Sequence, residues 1–527
     1  MNFNRLQQSN FLLYTGLMML VAGLPLSLFL TSLSQFFIIG SFFIEGSIAK
    51  KFKKFLSNPS AVLITSLWLL HLLGLAWTDD LQEGFKDLRI KLPLLILPLV
   101  LSGSEPLSKK QFQCLLSVFI AAVFAGSLVS MAVYSGIIQR EIHDIRDIFI
   151  FNISHIRFAL FVCLSIFILI QKANSSWKAK EFSSFFFISI LIIWFAAFLV
   201  FIESMTGLVL VLITGLVHLA IAGYRASRLW TRVLVILSVV LITSLLVFEI
   251  RNIIEEYNVK HEYEIDITEK TKKGNTYIFQ KNQKLYENGY PIWVYVCDEE
   301  LRADWNKLSS IPYDSLDERG QPLRFTLIRF LSSKGLRKDS EGLATLSEEE
   351  IKSVEKGIAN VKYQNLSDAR IRLIQIIWEF DQYRRGENPG GHSVTQRFEF
   401  WKAAIGIISS NPLIGVGTGD MPAAYQNEYV KTNSQLDEKY RLRAHNQYLA
   451  IGVGLGIPIL IYFIFVLFYC FFKSGMWKDY LFLSFWLIAT LSMLTEDTLE
   501  TQSGVTFVVL FLSLFLFSQK REEKSEI

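Results

Sequence analysis

Apolar residues are not spread evenly along this chain; they collect in blocks separated by short polar stretches. Clear blocks occupy 11–30, 61–77, 92–101, 112–133, 156–170, 185–202, 208–220, 233–248, 448–472, 480–494 and 505–517, with a weaker one at 33–43. A helix needs roughly 17–25 predominantly apolar residues to cross about 30 Å of hydrocarbon. The blocks therefore predict an all-α polytopic membrane protein with about twelve transmembrane helices. The block at 92–101 is short, and extending it back toward Leu88 puts Arg89 and Lys91 in its first turns.

Between 250 and 445 the blocks stop, so the chain reads as three parts: 1–249 with the larger share of spans, a soluble-looking insert at 250–445, and 446–527 with the last spans and a charged tail. An insert this long exceeds ordinary connections and is expected to carry structure and function of its own. Its pattern is mixed and mainly helical. Residues 276–280 and 293–297 are β-rich, and Glu287-Asn288-Gly289 is a turn signal between them. Stretches 347–360 and 367–384 read as helices, and Ser347 with Glu350 forms a capping-box pattern. A breaker at 386–391 precedes an amphipathic stretch, 394–408, with Phe398, Trp401, Ala404, Ile405 and Ile408 on one face. Such a face suits a membrane–water interface.

Charge orients the spans. Lys50, Lys51, Lys53, Lys54, Lys109, Lys110, Lys172, Lys178, Lys180, Arg225, Arg228, Arg232, Lys473, Lys478 and Lys520 occupy alternate connections or the tail. The other short connections carry acids: Asp79, Asp80 and Glu83; Glu203; Glu496, Asp497 and Glu500. The positive-inside rule puts both termini in the cytoplasm and the insert outside. Lys86, Arg89 and Lys91 break that rule. The first block has only Arg5 before it and no small-residue cleavage site, so it is expected to be a retained span. A net charge of +4 gives no reason to expect a nucleic-acid partner. Of the four cysteines, only Cys297 lies in the insert, so no disulfide can form within it, and no cysteine cluster has metal-ligand spacing.

The specific signal begins at Gln396-Arg397-Phe398-Glu399-Phe400-Trp401. It continues through Asn411-Pro412-Leu413-Ile414-Gly415-Val416-Gly417-Thr418-Gly419-Asp420 and Ala444-His445-Asn446-Gln447-Tyr448-Leu449 to Gly452-Val453-Gly454-Leu455-Gly456. This order resembles the O-antigen ligase and O-antigen polymerase family of bacterial envelope glycosyltransferases, in which an R-x-x-x-W helix, an N-P-hydrophobic-x-G-x-G turn and an H-N opening a late span follow one another. The span layout and the late outer loop are similar as well. The resemblance implies a GT-C-like fold in the bacterial inner membrane, with the large loop periplasmic. It implies a polyprenyl-diphosphate-linked glycan as donor and a hydroxyl acceptor: lipid A–core for a ligase, a second lipid-linked repeat for a polymerase, or a protein Ser or Tyr.

Glycosyl transfer from a diphosphate needs charge stabilisation on the leaving group and a base near the acceptor hydroxyl. Arginine suits the first, because its planar fork grips phosphate oxygens and stays charged when partly desolvated. Histidine suits the second, titrating near neutrality. Arg397 is thus assigned to the diphosphate and His445 to the base or acceptor-orienting role, and the two should line one cavity. The plainer alternatives are a snorkelling anchor for Arg397 and helix capping for His445-Asn446. The 411–419 loop lacks the spacing and the Lys-Ser/Thr of a P-loop, so it reads as a glycine turn for close packing rather than a phosphate nest. Arg157, opening a span in Ser154-His155-Ile156-Arg157-Phe158, is costly against lipid and so is expected to face a cavity or headgroups; the resemblance, whose members often carry a His or Arg at that helix start, ranks it third as a diphosphate contact. Arg89 and Lys91 either bind headgroups or add to the anion site. Met205 stands where many relatives carry a cation, a departure from the family pattern.

Asp79, Asp80 and Glu83, or His143, Asp144 and Asp147, are the acidic groups nearest to a metal set, but hard cations need several converging oxygens. The expectation is an inverting enzyme with no metal and no cofactor. A transporter would show internal repeats and midplane ionisable residues; no repeat is visible, and His71 and His218 read as hydrogen-bonded packing residues.

Overall fold

The computed structural model describes residues 3–44, 46–142, 145–151, 153–258, 265–280, 285–366 and 368–518. His143, Asp144, Ser367 and Lys520, on which expectations fell, lie outside them. The described chain is mainly helical, with one short two-stranded hairpin among the described residues. Among the described residues, seven helices are long and apolar enough to cross a membrane: Pro59–Trp77, Lys109–Tyr134, His155–Lys178, Phe182–Phe201, Met205–Arg225, Leu229–Tyr257 and Gln447–Lys473. The bent pair Leu28–Ile44 and Ile48–Leu56 makes an eighth if counted as one span. Shorter apolar helices, Phe11–Gly23, Pro93–Gly103, Tyr480–Ser492 and Gln502–Phe517, answer the remaining hydrophobic blocks.

Two boundaries differ from the sequence expectation. The first block is two helices: Phe3–Gly23 ends ahead of Pro25, since the residue before a proline is driven out of the helical region. The Ser27 hydroxyl then accepts the Leu30 N–H at the start of Leu28–Ile44. Likewise Arg89 and Lys91 do not begin a span. They end a separate amphipathic helix, Leu81–Ile90, and Pro93 at the first turn of Pro93–Gly103 starts the next.

The chain divides into two compact units: residues 1–140, 148–232 and 388–527, and residues 141–147 and 233–387. In the first, Gln502–Phe517 is the centre, with every residue from Ser503 to Phe517 buried. Apolar burial drives no helix association within lipid, so close packing has to do so. Here it is done by interlocked rings: Phe119 with Phe511 at 4.9 Å between centroids, Phe161 with Phe507 at 5.1 Å, and Phe485 against Phe507, Phe511 and Phe515. His218 hydrogen-bonds Ser484 at 2.7 Å and His71 the Leu67 carbonyl at 2.8 Å, the packing roles expected of them.

The second unit contains the expected hairpin. Ile278 and Val296 pair antiparallel, Gln280 N–H bonds the Trp293 carbonyl at 2.9 Å, and Asn288-Gly289 form the turn with φ of 48° and 87°. The capping box at Ser347 and Glu350 starts the helix Glu348–Glu355. The core gathers Trp305, Tyr313, Leu327, Phe330 and Leu331. Lys338 is buried at its edge, its ammonium donating to the carbonyls of Pro291 and Val294 at 3.0 Å each.

Burial, and next Arg337, push the Lys338 amine from 10.5 down to about 7. Between those values the unfolded chain holds a proton that the folded chain has shed, so this unit's stability rises with pH across that window. Hydrogen exchange of amides 292–297 in the full-length protein, corrected for intrinsic rates, should slow between about pH 7 and about pH 9. Lys338→Met should flatten that trend; a flat wild-type profile would contradict the placement of the amine.

Candidate active site

The connection between Tyr480–Ser492 and Gln502–Phe517 carries Glu496, Asp497 and Glu500, which are only 2%, 1% and 5% exposed. Carboxylates buried this deeply persist only when paired and hydrogen-bonded. The partners come from well-separated segments. Arg157, in the first turn of the His155–Lys178 helix, reaches Asp497 at 3.1 Å and Glu496 at 3.4 Å. Arg397, in the first turn of Gln396–Ser410, reaches Glu496 at 3.2 Å. Arg443 lies 2.6 Å from Asp497 and 3.9 Å from Glu500. Lys91, fully buried, reaches Glu500 at 2.7 Å and also pairs with Asp87. Four cations thus face four carboxylates.

His445 completes the cluster, with Nδ1 3.7 Å from Asp497 and its ring against Phe400. Its φ of 46° lies in the left-handed region, a conformation that costs a non-glycine residue about 1–2 kcal/mol and persists when surroundings enforce it. The enforcement is visible in the next residues. The Asn446 side chain accepts from Leu449 N–H at 3.0 Å, capping Gln447–Lys473, and donates to the Leu494 carbonyl at 2.9 Å. Gln447 donates to Glu500 at 3.0 Å and accepts from Leu499 N–H at 2.6 Å. The His-Asn pair therefore divides its work: the asparagine caps, and the histidine is turned toward the acids.

Burial acts differently on the two neighbouring acids. It lifts the Glu496 carboxyl above the ordinary range, with Arg157 and Arg397 pulling the other way and losing. It pushes Asp497 upward too, but contact with His445, then Arg443 and Arg157, holds that carboxyl below its usual value.

The glycine loop is a packing device. Val416 and Gly417 N–H groups donate to the carbonyls of Val453 and Gly454 at 2.9 Å, and Ile457 N–H donates to Pro412 at 2.8 Å, where Gly456 breaks the late helix with φ 82° and ψ 173°. A Cβ on Gly415 would meet the Gly454 backbone at 2.5 Å, and one on Gly417 would meet Thr78 Oγ1 at 2.5 Å. These amides face backbone, as the close-packing reading of the sequence expects.

Of the sequence-chosen residues, Arg397, His445 and Arg157 converge on the Glu496–Asp497 pair. Lys91 lies at the far side of the cluster, doubly neutralised. Arg89 is exposed and outside it. Lys86 pairs with Glu83. The buried stripe of Gln396–Ser410 is Phe400, Ala403, Ala404 and Ile407, offset from the face read in the sequence, because it packs on Tyr425, Tyr429 and Val453. Arg443 and the meeting of the cations on the three acids were missed. Their signal was present: three acids in one short connection between apolar spans demand internal cations.

The donor atoms of His445, Glu496 and Asp497 lie within 4.8 Å of one another, near enough to meet one cation. Arginines already neutralise both carboxylates, so the trio offers a divalent ion little net field. Asp80 caps Leu81–Ile90 and both Asp420 oxygens accept backbone N–H groups, which leaves no converging oxygen set at 79–83.

Fold and cluster together define a multi-pass membrane protein with a cation-rich site where its spans meet their loops. Residues 352–464 match the family model described as O-antigen ligase. That segment is similar to the O-antigen ligase family. None of the curated proteins matches the chain.

Glu500→Ala leaves Lys91 buried with half its neutralisation and should cost about 3 kcal/mol. The drop would be read as a lower thermal midpoint in detergent. Adding Lys91→Met should restore most of it; an unchanged midpoint in Glu500→Ala would remove the ion pair from the structural account.

Proposed function

We propose that this protein transfers a glycan from a polyprenyl diphosphate to a hydroxyl of lipid A–core at the outer face of the inner membrane, with both termini cytoplasmic and residues 250–445 outside. The observation that carries the reading is the convergence of Arg157, Arg397 and His445 on one pair of buried acids. The bond from the sugar anomeric carbon to the diphosphate oxygen breaks as the acceptor oxygen bonds to that carbon. The acceptor proton passes to the His445 imidazole, which Asp497 orients and, once charged, stabilises. The diphosphate departs with its electron pair onto Arg397 and Arg157, whose forks are preorganised where negative charge grows. A single displacement of this kind inverts the anomeric centre and draws on no metal.

The test is the envelope glycolipid ladder of a deletion strain complemented with wild type or variants. Arg397→Ala should lower transfer by about 10²–10³. His445→Asn, which tolerates the left-handed backbone, should lower it by about 10²–10⁴. Glycan missing from lipid A–core, with long chains stranded on the carrier, supports the ligase reading. Core capped by a single repeat would make the protein a polymerase, and a normal ladder from both variants would overturn the site. Arg397→Lys should not rescue, since a point charge lacks the bidentate fork.

A further inference from the structure

A second concavity in the first unit has the opposite electrostatic character. It is an open cleft of about 820 Å³ between the 74–81 turn on one side and the 411–416 loop with the helix Met421–Lys431 on the other. Trp77, Asp79, Asp80, Asn411, Asp420 and Asn427 line it, and no lysine or arginine does. Its volume falls within that of ordinary ligand sites.

Three features suit it to one chemistry. The Trp77 indole N–H is buried in the wall and has no hydrogen-bond partner among the described residues, whereas those of Trp68, Trp305 and Trp401 donate to backbone carbonyls. The Asp79 carboxylate and the Asn411 and Asn427 amides are exposed into the opening. The walls are held rigidly: both Asp420 oxygens accept the N–H groups of Asp79 and Asp80 at 2.8 Å, and a Cβ on Gly419 would strike the Asp80 carbonyl at 2.1 Å. Carboxylates and amides around an indole match vicinal hydroxyls on a ring with an apolar face. The same carboxylates, with no cation beside them, repel phosphate and anionic headgroups.

We propose that this cleft binds the sugar portion of the donor glycan, at neutral or amine-bearing residues several units from the diphosphate. The proposal rests on the glycan-transfer reading above. Arg397 and Asn411 stand at opposite ends of one helix, Gln396–Ser410, which separates cluster and cleft by roughly 20 Å. A glycan anchored at the arginines must be extended to fill both, so the cleft selects for chain length while the cluster selects for diphosphate.

The experiment uses the purified full-length chain and two probes: the glycan released by mild acid from the host's own lipid carrier, which lacks phosphate, and inorganic diphosphate. Asp79→Ala with Asn427→Ala removes two exposed side chains that hold no part of the fold. Saturation-transfer NMR should show the glycan binding wild type and Arg397→Ala alike, and binding the double variant at least about tenfold more weakly. Diphosphate, followed by broadening of its 31P line, should show the mirror pattern, weakened by Arg397→Ala alone. Equal glycan binding by wild type and the double variant, or none by wild type, overturns the cleft. Diphosphate binding that ignores Arg397→Ala overturns the transfer reading instead.

Discussion

Three carboxylates in one short connection, sunk out of water, are the constraint around which the first unit is arranged. Left unpaired, each would cost several kcal/mol, so the fold must deliver a cation to every one. Glu496, Asp497 and Glu500 draw in Lys91, Arg157, Arg397 and Arg443, residues scattered over some 350 positions of the chain. None of these pairs could form unless the helices bearing them were already close. The network is therefore less a source of net stability than a condition on arrangement: an alternative packing that separated any of those segments would strand a buried charge.

A second linkage ties the same helices through the 411–420 loop. The 411–420 loop gives N–H groups to the broken late helix at Val453 and Gly454. The Thr418 hydroxyl donates to the His71 carbonyl at 2.6 Å, and the Asp420 carboxylate holds the start of Leu81–Ile90. Only glycine allows main chains to approach so closely, which explains why Gly415, Gly417, Gly419 and Gly456 cluster in this stretch. The loop acts as a clasp, with the amides of Gly415, Val416, Gly417 and Thr418 donating to carbonyls and that of Gly419 to the Thr78 hydroxyl.

What the sequence made legible follows from how local each signal is. The helical nature of the apolar blocks, the capping box at Ser347 and the hairpin turn at Asn288-Gly289 depend on neighbours a few residues away and match the structure, which holds seven or eight helices of spanning length among the described residues against about twelve expected spans. Arg397, Arg157 and His445 were singled out through an ordered motif and the cost of an arginine near lipid. Their meeting point was not legible, since it lies in acids roughly 50–340 positions distant that had served only to orient the spans. Arg443 sat two residues from His445 and passed unremarked, because a single cation in a polar spacer carries no periodic signal. The offset face of Gln396–Ser410 failed for a related reason: hydrophobic periodicity assigns a face to lipid or core alike, and only the partner, here Tyr425 and Tyr429, decides between them.

The charge balance of the cluster bears directly on how a donor could enter. At rest the cations are already matched by acids, so an arriving diphosphate brings negative charge to arginines that are occupied. The site accommodates it when a carboxylate gives up its own charge by taking a proton. Glu496 is placed to do so, since burial already outweighs Arg157 and Arg397 at that carboxyl, and neutralising it frees Arg397 while Arg157 keeps its pair with Asp497. Asp497, one residue on, is held charged and keeps its charge beside His445, where the proposed reaction creates an imidazolium. Adjacent acids whose surroundings drive them apart in proton affinity are the arrangement that acid–base chemistry requires. In the proposed reaction, one residue step separates the acid that would yield to the leaving diphosphate from the acid that would steady the base.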